Sequence, residues 1–270
     1  MSRQLTIHTA GPVARLTLTR PDKRNALSPE LLGELIDAAR ALDARPEIKV
    51  AILSGAGRSF CAGFDLDAFA AQEAEGHTRE TADRGRRMAD AVTAMRAITI
   101  AQVHGHCVGG GLVLAAACDL RVVAEDTVFS IPEVELGIPL AWGGIPRLVR
   151  EIGPAMTKEL VLTCRPFTAA EARALGFVNR VVPADGLAAE AEALAAQLAE
   201  RSALTLVATK THVNAAAEEL ASTAGAVRDA DVLMAAIGDR ESRASAARYL
   251  RARARSRAPE SSSALPADEG

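Results

Sequence analysis

Three stretches of the chain hold the residue types that could do chemistry. His104 to Asp119 reads HGHCVGGGLVLAAACD, so Gly109, Gly110 and Gly111 stand between an apolar β-branched run, Ile98 to Val103, and a small-residue segment, Leu112 to Cys118. Glycine has no Cβ and gives up the most entropy on ordering, so three together at a strand-to-helix junction mark a close approach of backbone to something. The open N–H groups of a helix's first turn, with the helix dipole behind them, favour a negative oxygen there. A tight packing turn uses the same residues, so the triple glycine alone does not decide between the two. The second stretch is another glycine loop, Arg58 to Leu66 (RSFCAGFDL), directly after the apolar run Val50 to Leu53. The third, Ser130 to Gly137 (SIPEVELG), brings two carboxylates, Glu133 and Glu135.

In this order and spacing the three stretches resemble the crotonase superfamily, the enoyl-CoA hydratases and isomerases. The resemblance runs from Asn25-Ala26-Leu27-Ser28 to about Pro183 and continues more weakly into the C-terminal helices. It implies an α/β chain wound as a crotonase-like spiral of ββα units, with trailing helices that build a homotrimer or a dimer of trimers. It also implies an acyl-CoA thioester as substrate, so that coenzyme A arrives with the substrate and no cofactor is permanently bound. The oxyanion hole would be formed by the N–H groups of Phe64 and Gly110, two donors that hold the enolate oxygen of the thioester. Glu133, in the family's PExxxG position, would be the acid or base, with a pKa raised by apolar surroundings. Glu135 has the wrong parity to point the same way if the segment is extended, and reads as structural. Lys23 and Arg24 would meet the CoA phosphates, with Arg58 nearby. Ala26, Ala62, Asp65 and Leu66 would clasp the thioester through their backbone. Gly109, Pro132 and Trp142 complete the substrate-binding set; Trp142, the chain's single tryptophan, either walls the acyl site or fills the core.

The chain departs from the hydratase pattern at one place. Hydratases carry a second glutamate three residues after the middle glycine, and this chain has Val113. A single carboxylate resembles the Δ3,Δ2-enoyl-CoA isomerases, in which one group moves a proton between two carbons. Ala141 also lacks the acid that dienoyl isomerases and related dehalogenases place nearby. Isomerisation is therefore favoured, with hydration in fatty-acid β-oxidation as the alternative; a non-catalytic acyl-CoA binder, a thioesterase and a decarboxylase stay open.

Composition excludes other classes. With 270 residues, 49% hydrophobic and 24% charged, the chain is long enough to bury a substantial core. A formal net charge of −3 gives no drive toward nucleic acid or anionic membrane, and no run reaches the roughly 18 apolar residues of a membrane span. The C-terminal arginines at 243, 248, 251, 253, 255 and 257 form a stripe, but the interleaved aromatics of a nucleic-acid surface are missing. Cys61, Cys107, Cys118 and Cys164 lack metal or CxxC spacing and read as reduced, buried thiols of a cytoplasmic protein. His104 and His106 have no third ligand at sensible spacing, so no metal site is expected.

The elements that must position these residues follow from local pattern. Gln4 to Thr9 and the alternating Val13 to Thr19 predict a hairpin through Gly11-Pro12. Ser28-Pro29 opens a helix with Leu31, Leu32, Leu35, Ile36, Ala39 and Leu42 on one stripe. Ile48 to Ser54, Ile98 to Val103, Leu120 to Ala124 and Phe177 to Val182 predict strands, and Ala68 to Gly85 a mobile surface segment leading into a helix that ends near Arg96. Leu148 to Ile152 and Ala155 to Leu162 predict helices split by Gly153-Pro154; Thr168 to Glu171 is a capping box with Gly176 as the C-terminal glycine. The expected organisation is a spiral core with the acyl-CoA site over 1–185, a helical trimerisation region over 186–255, and a disordered tail over 256–270.

Overall fold

A computed structural model describes residues 3–257 of the chain. It opens with the expected hairpin, β1 (Leu5–Ala10) and β2 (Val13–Leu18), paired antiparallel. Helix α1 (Pro29–Asp43) follows, capped by Ser28, whose Oγ accepts from the Leu31 N–H, and all six stripe residues are buried. The chain then runs through β3 (Val50–Gly55), α2 (Leu66–Glu75), α3 (Thr78–Ala94), β4 (Ile98–Val103), β5 (His106–Val108) and α4 (Gly110–Ala117). Strands β6 (Leu120–Ala124) and β7 (Val128–Ser130) lead to α5 (Gly144–Thr163), β8 (Phe167–Thr168), α6 (Ala169–Ala174) and β9 (Arg180–Val182). Four helices complete the described chain: α7 (Leu187–Ala199), α8 (Ala203–Leu220), α9 (Asp229–Gly238) and α10 (Arg240–Arg257).

The main sheet has the order β1-β2-β3-β4-β6-β9, parallel throughout except for the opening hairpin. A second sheet, β5-β7-β8, lies apart from it, and an isolated parallel backbone pairing of Cys61 with Cys107 extends its parallel edge. The turns β4-β5-α4 and β6-β7-α5 each give one strand to the large sheet and a short one to the small sheet before a helix closes them, the repeating unit of the ββα spiral. Both faces of the large sheet are covered, as parallel sheets require. Ala51, Leu53 and Ala101 turn toward α1, α3 and α4, while Val50, Ile52, Ile100 and Val122 turn toward Leu187, Ala191, Leu194 and Ala195 of α7.

Several local expectations are corrected. Ala68 to Gly85 is not irregular: Asp65 caps α2 by accepting from the Asp67 N–H, and Gly76 ends it at φ +77 before α3 begins. The buried face of α3 is made of Thr78, Thr81, Ala82, Gly85, Met88, Ala89 and Val92, mostly small or polar residues that hide the helical period. Strands β5, β7 and β8 have two or three residues each, too short to leave a pattern, and the last main-sheet strand is confined to Arg180–Val182. The capping box is half made. Thr168 accepts from the Glu171 N–H, but the Glu171 carboxylate pairs with Arg165. Residues 256 and 257 close α10; the rest of the expected tail, 258–270, lies outside the described residues. Among the described residues no helix is long and apolar enough to cross a membrane.

Candidate active site

The first glycine loop is held from below by Asn25, fully buried at φ +56. Its Nδ2 donates to the carbonyls of Ala56 and Ser59, and its Oδ1 accepts from the Arg20 N–H. Leu27 then bridges Phe64 in parallel fashion: its N–H donates to the Gly63 carbonyl and its carbonyl accepts from the Asp65 N–H. In such a bridge the residues flanking Phe64 make the bonds, so the Phe64 N–H faces the opposite edge. The second loop leaves β5 and enters α4. Gly109 donates to the Ser130 carbonyl, and Gly110 contributes the first N–H of the helix. The N–H groups of Phe64 and Gly110 have no acceptor among the described residues.

Glu133 sits on a single helical turn rather than an extended segment: Leu136 donates to the Pro132 carbonyl and Ile138 to the Glu133 carbonyl. The parity argument for Glu135 therefore does not apply, and Glu135 is exposed. The turn brings the Glu133 carboxylate against Gly109, which has φ +49; a Cβ there would stand 2.3 Å from Glu133 Oε1. Only glycine fits, on grounds of both backbone and space. Glu133 Oε2 is buried with no hydrogen-bond partner. Burial without a partner disfavours the charged form and lifts the carboxyl pKa from 4.5 to about 7.

Trp142, at φ +62 and 8% exposed, lies with its indole between two helices. A Cβ at Gly85 of α3 would stand 2.0 Å from its Cε2, and one at Gly110 of α4 2.5 Å from its Cζ3. The Phe64 ring meets it edge-on at 5.8 Å and meets Phe69 the same way at 6.0 Å. Trp142 both packs the interior and walls the cavity, so the two readings of it are not exclusive. The turn that carries it is tied to α9, because Asp229 Oδ2 accepts the Gly143 N–H.

These groups share one cavity of about 220 Å³. Of the residues singled out from the sequence, Ala62, Phe64, Leu66, Gly109, Gly110, Pro132, Glu133 and Trp142 line it, and Val113 lies on the same wall. Lys23, Arg24, Ala26 and Asp65 line an adjoining cavity of about 510 Å³, with Arg58, and Ala62, Phe64 and Leu66 border both. Lys23 is half-exposed and pairs with Asp67 at 2.7 Å, and the Asp65 carboxylate pairs with Arg20 while it caps α2. Sequence reasoning missed Phe69 of α2, Leu233 of α9 and Tyr249 of α10, all on the wall of the smaller cavity. Tyr249 is the chain's single tyrosine, and nothing in its local sequence points 116 positions back to Glu133. Arg253, one of the C-terminal arginine stripe, borders both cavities.

The thiols do not join the site chemistry. All four are buried, and burial pushes Cys61 and Cys118 up to about 12. His104 Nε2 bonds the Gly57 carbonyl, and burial with Arg24 and Arg58 nearby lowers the pKa of His106. No group of three or more His, Cys, Asp or Glu among the described residues is placed to hold a metal ion.

A family model described as enoyl-CoA hydratase/isomerase matches residues 8–256. The chain belongs to the enoyl-CoA hydratase/isomerase family. A probable enoyl-CoA hydratase of Mycobacterium bovis is 39% identical over 207 residues, covering 76% of this chain and 79% of that protein. A peroxisomal Δ(3,5)-Δ(2,4)-dienoyl-CoA isomerase of Arabidopsis thaliana is 40% identical over 185 residues, covering 64% of this chain and 66% of that protein. The crystal structure of an enoyl-CoA hydratase from Mycobacterium avium subsp. paratuberculosis superposes with a TM-score of 0.83 at 26% identity, covering 92% of this chain and 99% of that one. The chain is thus an enzyme of the enoyl-CoA hydratase/isomerase family. Its cavity combines two open N–H donors with one buried carboxylate titrating near neutrality, the groups needed to move a proton next to a carbonyl and hold the charge that results.

Proposed function

We propose that the protein is an enoyl-CoA isomerase that converts a 3-enoyl-CoA to the conjugated 2-enoyl-CoA with Glu133 as the sole proton carrier. The observation that carries this reading is the isolation of Glu133. Its Oε2 is buried without a hydrogen-bond partner, and the position three residues after Gly110 is Val113, 1% exposed. In the ionised form Glu133 removes a proton from C2. The electron pair enters the thioester, and the negative charge on the carbonyl oxygen is received by the N–H groups of Phe64 and Gly110. The same carboxyl, now protonated, returns the proton to C4 as the double bond forms between C2 and C3. Trp142, Val113 and Leu140 keep the wall around Glu133 apolar, which disfavours a held water.

The basic residues Lys23, Arg24 and Arg58 around the adjoining cavity suit the CoA phosphates, with the backbone near Ala26, Ala62, Asp65 and Leu66 as the clasp. The reading extends to a cytosolic enzyme built as a trimer or dimer of trimers, supported by the unpaired buried thiols and by the exposed apolar residues of α8.

Hydration is the second reading, favoured by the name of the 39% identical relative, a probable enoyl-CoA hydratase. Incubation with 2-enoyl- and 3-enoyl-CoA, followed by mass spectrometry and NMR, separates the two. A product of unchanged mass with a shifted double bond, lost at least 10²-fold in Glu133→Gln, is the expected result. A gain of one water by the 2-enoyl-CoA, with no shift in the 3-enoyl-CoA, overturns isomerisation.

A further inference from the structure

The chain has few aromatic residues, and their distribution is uneven. Of six phenylalanines, one tryptophan and one tyrosine, Phe60, Phe129, Phe167 and Phe177 are core residues with at most 4% exposure. The other four, Phe64, Phe69, Trp142 and Tyr249, all line the cavity that holds Glu133. They come from a loop, α2, the turn before α5, and α10, so no single element explains the gathering. Aliphatic residues supply nearly all the rest of the interior, and they would have made an apolar pocket equally well.

Three of these rings pack on one another. Phe64 stands perpendicular to both Phe69 and Trp142, at 87° and 88°. The indole is seated in the space left by Gly85 and Gly110, against the Cα of the residue that offers its N–H to the cavity. A π surface therefore lies directly against Gly110 on the wall of the cavity. The cavity measures about 220 Å³; a cavity of about 150 Å³ lined by Leu, Ile and Phe holds one benzene molecule. There is room for one ring and a short linker.

We propose that the acyl group of the substrate carries an aromatic ring a few carbons from the thioester, packed among Phe64, Phe69, Trp142 and Tyr249. This rests on the proposed function for the location of the acyl group, and not on whether the reaction is isomerisation or hydration. Aromatic pairs gain more than their buried area predicts when they meet edge-to-face or offset. A flat ring also loses less conformational freedom on binding than an alkyl chain with the same number of carbons.

Calorimetric titration of the full chain with unreactive thioesters tests this. 3-Phenylpropanoyl-CoA and nonanoyl-CoA have the same number of acyl carbons and share every CoA contact. The phenyl compound is expected to bind about tenfold more tightly. In Phe69→Leu, and separately in Trp142→Leu, the two are expected to fall within about threefold of each other through loss on the phenyl side. Nonanoyl-CoA binding as tightly as or more tightly than 3-phenylpropanoyl-CoA overturns the proposal, even if the protein isomerises 3-enoyl-CoA. A phenyl preference in a protein that isomerises nothing overturns the isomerase reading alone. Failure of both thioesters to bind also overturns the aromatic proposal, while the isomerase reading is decided by the product assay alone.

Discussion

At the residue scale, the buried carboxyl of Glu133, whose Oε2 has no partner, sets function against stability. Its pKa rises from 4.5 to about 7, so the folded protein holds this proton more tightly than the unfolded chain. The contribution to stability is full below about pH 4.5 and is lost as pH rises through 7. At about 1.4 kcal/mol for each unit, the loss by pH 8 approaches ~3 kcal/mol. Glu133→Gln does not titrate, so thermal unfolding at pH 8 is expected to find it more stable than the wild type by up to about that amount. The advantage should vanish near pH 4.5; a variant less stable than wild type at pH 8 would contradict the burial argument. The same value sets activity. The base form must take the first proton, so kcat/KM is expected to fall about tenfold for each pH unit below 7 and to level off above it. A pH-rate profile flat between 5 and 8 would remove Glu133 from that step.

At the element scale, the site depends on how closely α3, α4 and the turn before α5 approach one another. Trp142 fits because α3 has glycine at 85 and α4 has glycine at 110. Gly85→Ala leaves the helical backbone of α3 favourable but places a methyl 2.0 Å from the indole, which overpacks the wall. A cost of about 1–3 kcal/mol is expected in denaturant unfolding, together with loss of activity from movement of Trp142. Adding Trp142→Leu should recover part of that cost, giving a coupling energy of at least about 0.5 kcal/mol in the double-mutant cycle. Additive effects would show that the two residues do not press on one another. Local sequence does not reveal this contact, because a lone glycine inside a helical pattern reads as a weak point. Nor does it reveal α2 and α3 as a pair, since α2 has no fully buried residue and the buried face of α3 is largely alanine, threonine and glycine.

At the scale of the whole molecule, α8 is incompletely covered. Of its 18 residues only Lys210 is buried, held by the Ala97 carbonyl and Asp119, while Leu204, Val213 and Leu220 are 78%, 61% and 81% exposed. Val213 and Leu220 share one face and Leu204 lies about half a turn away, and a helix that exposes apolar residues on more than one side is ordinarily covered by partners. Further copies of this chain, in the trimer or dimer of trimers expected from the family, would supply that cover. Sedimentation velocity of the wild type is expected to give a trimer or larger, and Leu204→Glu with Leu220→Glu to shift it toward monomer. Burial of each leucine is worth roughly 1.5–3 kcal/mol, so two charges there should weaken assembly by several orders of magnitude. A wild-type monomer at micromolar concentration would exclude this role for α8.

The hairpin, α1 with its Ser28 cap, and the two glycine loops were legible in the sequence because each rests on short-range physics, whereas the spiral came only from the resemblance to the family. Alternation, helical period, capping and the conformational needs of glycine act within a few residues. Phe64, Gly110 and Glu133 were singled out by the resemblance, through their positions in the family's motifs, and the fold brings all three to one cavity. Three things were decided only by tertiary structure. The absence of any partner for Glu133 Oε2, and with it a pKa near 7, depends on which side chains from distant segments fill the surrounding space. The seating of Trp142 depends on two glycines 25 positions apart, on α3 and α4. The closing of the cavity by Leu233 and Tyr249 depends on α9 and α10 folding back across it. Packing of that kind is a property of pairs far apart in the chain, and a single sequence has no local period or motif in which to record it.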